Sequence, residues 1–170
     1  MNSNKNIVFL GMMGSGKSSI GNLVSKKLNI PFIDIDYLIE EHAGMSISEI
    51  FKNNGEDYFR NLEEKITLKT LKNNKSVIAL GGGGFINDKI RKDILLKHFS
   101  FWLDWDESIL LKRIRGSKKR PLAFKSTDKE IKAIIKKRAK IYSKAQFRIN
   151  CNKLTKTEII NKIIKIYELN

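Results

Sequence analysis

The sequence predicts an α/β fold in which a parallel sheet is covered by helices on both faces. Apolar, strand-length runs alternate with segments of helical spacing along the whole chain. The strand runs are continuously apolar rather than alternating, as strands buried on both faces require. The first of them, Ile7-Val8-Phe9-Leu10, leads into Gly11-Met12-Met13-Gly14-Ser15-Gly16-Lys17-Ser18. That segment fills every required position of the phosphate-binding pattern G-x-x-x-x-G-K-S/T.

The elements follow in order. After the phosphate loop, Ile20, Leu23, Val24 and Leu28 are spaced like one face of a helix. Residues 31–36 read as a short second strand ending in acid, and residues 37–43 as a brief helix stopped at Gly44. Ser46 and Glu49 have capping-box spacing and open a helix to about Asn53. Gly55 breaks the chain before Tyr58, Phe59, Leu62, Ile66 and Leu71, again at helical spacing. Residues 76–80 form an apolar strand that ends in Gly81-Gly82-Gly83-Gly84. A helix over about 87–96, a strand over 99–103 and a helix over 107–115 capped by Asp106 come next. Residues 116–127 are polar and basic, contain Pro121 and read as a loop. Thr127 with Glu130 opens a helix to about Tyr142, and residues 147–149 make a last short strand. Thr155 with Glu158 caps the final helix, whose Ile159, Ile163, Ile166 and Leu169 are expected to face the core. No repeat or low-complexity linker divides the chain, so residues 1–170 read as a single domain.

The formal net charge is +15, and its placement is uneven. Residues 1–111 carry 14 basic and 14 acidic side chains, whereas residues 112–170 carry 19 and 4. The basic third could meet nucleic acid or small anions. It has only Phe124, Tyr142 and Phe147 as aromatics across residues 112–150, a poor stacking platform for bases, so no specific nucleic-acid partner is expected. No apolar run approaches the ~20 residues of a membrane span. The polar start leads straight into a strand, so no signal peptide is expected. The single cysteine, Cys151, cannot form an internal disulfide, which fits a cytoplasmic protein; a half-buried side chain at a strand end is its ordinary role. His42 and His98 have no second ligand at metal spacing and read as surface or packing residues.

The loop carries the clearest chemistry. Gly11, Gly14 and Gly16 permit backbone angles closed to other residues, so successive N–H groups can form a nest for an anion. The helix that starts near Lys17 adds its positive dipole end. Lys17 is expected at the β- and γ-phosphates of a nucleoside triphosphate and Ser18 on Mg²⁺, with Ser15 and Ser19 completing the nucleotide contacts. In a parallel sheet, ligands sit at the carboxyl ends of the strands. Asp34 and Asp36 stand there, on one side of the second strand if its period of two holds. The pair could organise Mg²⁺ and orient or deprotonate an acceptor hydroxyl; alternatively they are helix caps, Asp36 in particular. Four glycines in a row suggest close approach of the backbone to a ligand. Asp104, ending the strand 99–103, rivals Asp34 as the metal organiser from the bare pattern.

Together with the phosphate loop, Asp34-x-Asp36, Phe59-Arg60, Gly81-Gly82-Gly83, Arg120-Pro121-Leu122 and Lys137-Arg138-Ala139-x-x-Tyr142 resemble the shikimate kinase family along nearly the whole chain. The resemblance implies a P-loop kinase fold, like that of the nucleoside monophosphate kinases, with a five-stranded parallel sheet flanked by helices. It implies a substrate-binding segment at about 34–62 and a mobile lid at about 116–127. The implied reaction is transfer of the ATP γ-phosphoryl group to the 3-hydroxyl of shikimate. By the same resemblance Asp36 is the base or orienter, Lys17 and Arg120 stabilise the phosphates, and Asp34 organises Mg²⁺ with Ser18. Arg60, Arg138 and Gly81 to Gly83 would hold shikimate, while Arg113, Asn152 and Lys153 would meet adenine. Asp104 is then expected to cap a turn, and the protein to be a monomer. Gluconate or another small hydroxy acid as acceptor, or a nucleic-acid-binding ATPase, remain the alternatives from sequence.

Overall fold

Strand β1 (Ile7–Leu10) lies at the centre of a five-stranded parallel sheet in a computed structural model that describes residues 4–73, 75–116 and 126–170. The strand order is β2 (Phe32–Asp34), β3 (Val77–Ala79), β1, β4 (Phe99–Asp104) and β5 (Phe147–Asn150). Ile7 is in register with Val77 on one side and Phe99 on the other. The continuous apolar runs have a direct cause. Val8, Leu10, Ile78 and Trp102 point into one core, while Ile7, Phe9, Val77, Phe101 and Leu103 point into the other. With a side-chain period of two and both faces buried, the interior positions of these strands are apolar except Ser100, which is buried with its hydroxyl accepting from the Gln146 amide.

Helices α1 (Lys17–Leu28) and α8 (Lys156–Glu168) cover one face, with Ile20 and Val24 packed among Ile159, Ile160 and Ile163. The other face carries α2 (Ile35–Ala43), α3 (Ile47–Asn53), α4 (Gly55–Leu71), α5 (Asp88–Lys97), α6 (Glu107–Arg115) and α7 (Asp128–Tyr142). The three expected capping boxes, at Ser46/Glu49, Thr127/Glu130 and Thr155/Glu158, are all formed. Among the described residues no helix is long and apolar enough to cross a membrane.

Several expectations are corrected. The second strand stops at Asp34, because Oδ1 of Asp34 accepts the amides of Asp36 and Tyr37 and turns the chain into α2. Leu23 lies at the margin of α1, whose buried face is centred on Ile20, Gly21 and Val24; Tyr58 is exposed on α4. Leu169 follows the end of α8 and is 75% exposed, with Ile160 in the core instead. Asp106 precedes α6 without capping it; its side chain accepts from Asn152 Nδ2. Cys151 is fully buried rather than half-buried, donates to the Ile149 carbonyl, and burial pushes its pKa up to about 12, so it is an inert thiol. His98 is buried and accepts from the Asn6 amide through Nδ1. The lid at 116–127 and Arg120 lie largely or wholly outside the described residues.

Asn6, just ahead of β1, is fully buried and ties three elements together. Its Nδ2 donates to Leu71 O at the end of α4, its Oδ1 accepts from Ser76 N before β3, and its carbonyl accepts from Phe99 N at the start of β4. Asn6→Ala strands one buried donor and one buried acceptor, each costing ~1–3 kcal/mol. The expected outcome in thermal unfolding is a lower Tm, by about 2–4 °C per kcal/mol for a chain of this size. An unchanged Tm would mean that the clamp contributes nothing.

Candidate active site

The loop between β1 and α1 is built on three glycines in the left-handed region, Gly11 (φ 142), Gly14 (φ 81) and Gly16 (φ 89). A side chain at Gly11 would also press on the Leu103 carbonyl and Ser15 Oγ, both 3.0 Å from a Cβ there. Lys17 is buried beneath the loop and its ammonium donates to the carbonyls of Gly11 (3.0 Å) and Met12 (3.1 Å). Ser18 and Ser19 are exposed at the start of α1, and Ser19 Oγ accepts from Lys156 Nζ. Ser15 is buried with an unpartnered hydroxyl among the described residues.

Beside the loop, Asp36 stands in the first turn of α2, not on the strand. Asp34 is the cap and Asp36 is not, the reverse of the assignment in which Asp36 caps. Burial raises the Asp36 pKa to about 6; the Lys17 charge works against that, and the negative charges of Asp34, Glu63 and Glu40 add to it. Glu63 of α4 is only 2% exposed. Its Oε2 accepts from Arg60 Nη1 at 2.7 Å, and its Oε1 has no hydrogen-bond partner among the described residues.

The glycine run fits between these groups. A Cβ on Gly81 would lie 2.6 Å from both Asp36 Oδ1 and Glu63 Oε1. The Gly82 carbonyl accepts from Arg138 Nη1 at 3.2 Å and from the Tyr142 hydroxyl. A Cβ on Gly83 would collide with the Arg60 guanidinium. Gly81 and Gly83 have no positive φ, so lack of a side chain is what the site uses there. Arg60, held by Glu63 and Glu56, and Arg138 line one cleft of about 420 Å³ together with Glu63, Gly83 and Lys137.

The residues expected around adenine are divided. Asn152 and Lys153 line a separate hollow of about 340 Å³ with Asp106 and Lys162, and Asn152 is paired to Asp106. Arg113 is stacked on Trp105. Asp104 does not cap a turn: it pairs with Arg148 of the neighbouring strand, with Nε at 2.8 Å and Nη2 at 2.6 Å. No cluster of three His, Cys, Asp or Glu side chains suited to a metal occurs among the described residues.

A family profile described as shikimate kinase matches residues 13–168. The chain belongs to the shikimate kinase family. A shikimate kinase from Thermodesulfovibrio yellowstonii is 41% identical over 165 residues, covering 96% of this chain and 95% of that one. The crystal structure of shikimate kinase from Aquifex aeolicus is 35% identical, covers 96% of each chain and superposes with a TM-score of 0.85. Shikimate kinase from Acinetobacter baumannii, solved in complex with shikimate, gives a TM-score of 0.91 at 27% identity over 98% of this chain and 94% of that one. Membership of the shikimate kinase family makes the protein an ATP-dependent kinase with the expected P-loop fold.

Sequence reading missed Glu63, Trp105 and Asn6. Glu63 had a signal, since it stands three residues after Arg60 on a helix, the spacing of a side-chain pair. Trp105 had only its position one residue past the carboxyl end of β4.

The buried charge on Asp36 has a thermodynamic consequence. Its folded-state pKa exceeds the unfolded value of 3.8, so its ionisation opposes folding, and the full penalty is present above pH ~6. Asp36→Asn should therefore stabilise the fold at pH 8 by on the order of 1–3 kcal/mol. The gain should shrink as the pH falls from 8 to 5, since native Asp36 takes up its proton in that range. A gain independent of pH, in paired unfolding curves, would contradict the assignment of the strain to this carboxylate.

Proposed function

We propose that Asp36, Lys17, Arg60 and Arg138 carry out transfer of the γ-phosphoryl group of ATP to the 3-hydroxyl of shikimate, giving shikimate 3-phosphate on the route to chorismate and the aromatic amino acids. The observation that carries this reading is the convergence of Arg60 and Arg138, from α4 and α7, on one cleft that Gly83 also lines. Two guanidiniums in one cleft suit a planar carboxylate, which accepts paired N–H donors. The substrate-binding segment is then about 34–62, from the Asp34 cap to Arg60.

The backbone N–H groups of the loop and the N-terminus of α1 hold the phosphates, and Lys17 neutralises charge there. Asp36, beside Lys17 and Gly81, accepts the proton of the 3-hydroxyl as that oxygen bonds to the γ-phosphorus. The bond from phosphorus to the bridging oxygen breaks and ADP leaves. A carboxylate with a pKa of about 6 suits this task, being ionised at neutral pH yet basic enough to take a proton. Arg120, outside the described residues, keeps the role that the family resemblance implies, stabilising the phosphates with Lys17. Arg113, Asn152 and Lys153 contact the adenine side, with Ser15 and Ser19 near the phosphates.

The donors around the loop fit Mg²⁺. The cation favours a few hard oxygen ligands completed by phosphates and water rather than an all-protein cage. Ser18 offers an exposed hydroxyl, and Asp34 caps α2 through Oδ1 alone, leaving Oδ2 for the ion or its water. Held there, the ion would supply positive charge to offset the negative charge of the phosphates.

A coupled assay of ADP release across shikimate, gluconate and nucleoside monophosphates tests the acceptor. Shikimate alone should stimulate turnover, and gluconate turned over equally well would defeat the assignment. Arg60→Lys and Arg138→Lys should raise KM for shikimate with little change in KM for ATP. Their penalty should vanish for an analogue that lacks the carboxylate, as a double-mutant cycle requires. Equal penalties with and without the carboxylate would remove the clamp. The pH dependence follows from Asp36: kcat/KM should fall below pH ~6 with the slope of one proton. A flat profile down to pH 5 would exclude Asp36 as the base.

A further inference from the structure

Trp105 sits one residue past β4, half-buried, and packs against both cores at the carboxyl edge of the sheet. Its indole makes two contacts to the nucleotide side at once. Nε1 donates to the Ser15 carbonyl at 2.9 Å, and the guanidinium carbon of Arg113 lies 3.9 Å from the ring centroid. Arg113 Nη1 in turn donates to the Gly14 carbonyl at 3.3 Å. Two consecutive carbonyls of the phosphate loop are thus held by an indole and a guanidinium stacked on one another.

Both contacts have a directional effect. The described peptides are all trans, and in a trans peptide the C=O and N–H point to opposite sides. Holding the Ser15 carbonyl towards Trp105 therefore aims the Gly16 N–H away from it. The stack acts on Arg113 in the same way. Arg113 is exposed on α6 and would otherwise sample many rotamers, but one face of its planar group lies on the indole and the other is open to solvent.

We propose that Trp105 is a positioning residue for the purine nucleotide: it locks the Ser15–Gly16 peptide and presents the open face of Arg113 to the adenine ring, in the order indole, guanidinium, purine. This rests on the reading above that Arg113 meets adenine. A cation between two aromatic faces is attracted by both, and pre-ordering the side chain removes part of the entropy lost on binding.

Calorimetric titration of ADP into the full chain tests it, alongside steady-state kinetics and thermal unfolding without nucleotide. Trp105→Leu should raise Kd for ADP and KM for ATP roughly tenfold, with kcat and KM for shikimate unchanged. Trp105→Phe keeps an aromatic face but loses the N–H, and should fall between. In the Trp105→Leu/Arg113→Ala double variant the losses should not add, because both remove the same stack. The chain has two tryptophans, so in a Trp102→Phe background Trp105 is the sole indole, and its emission should change as ADP binds. This readout serves if Trp105→Leu does not fold. Unaltered ADP affinity in folded Trp105→Leu, strictly additive losses, or an emission blind to ADP would each overturn the proposal. Failure of the wild type to bind ADP would overturn the nucleotide reading of the loop itself, a separate result.

Discussion

The ion pair between Arg60 and the buried carboxylate of Glu63 lets two acids, Asp36 and Glu63, face each other across Gly81. Two negative charges so close in a partly buried site repel each other, and nearby cations offset that repulsion. Arg60 pairs with Glu63, whereas Lys17 acts on Asp36 through its charge alone, and the two cations come from different parts of the site. Lys17 is rooted in the phosphate loop, Arg60 in the helix that flanks the carboxylate cleft. The electrostatic balance of the acid pair is therefore set by the same two residues to which the proposed function assigns the two substrates. Binding of either anion alters the field at Asp36.

That arrangement depends on where the chain turns. Asp34 ends β2 by capping α2, and the turn swings Asp36 off the strand and towards Lys17 and Gly81. Had the strand continued, residues two apart would have projected side by side along one face. The cap therefore separates the two acids, giving Asp34 to the backbone and setting Asp36 against Gly81. The glycine run makes the matching accommodation from the end of β3, since Gly81 and Gly83 are opposed by charged side chains at distances that leave no place for a Cβ.

Much of this fold was legible because its determinants are local. The apolar runs at β1, β3 and β4, the three capping boxes and the phosphate loop each declare themselves within a few residues. Element ends were less legible where a side chain decided them, as Asp34 did for β2. Of the site, the loop and the convergence of Arg60 and Arg138 were readable as a motif set. Glu63, the Asp104–Arg148 pair and the Trp105–Arg113 stack were not, since each is made between elements that only the sheet order brings together. Helical periodicity overcounted at Leu23, Tyr58 and Leu169, because a spacing identifies a face but not how much of that face its neighbours cover.

The pairing of Arg148 with Asp104, with the guanidinium also lying over Trp102, has a bearing on solubility. Strand β5 is an outer strand, and an outer strand offers unpaired backbone groups to any other extended chain. β5 is four residues long and keeps a charge fastened in the middle of it. β2, the opposite border, is shorter still at three residues. A second molecule seeking to extend the sheet would find little ladder at either border, and at β5 it would have to desolvate an ion pair. The cation that steadies the end of β4 thus also discourages self-association through the sheet.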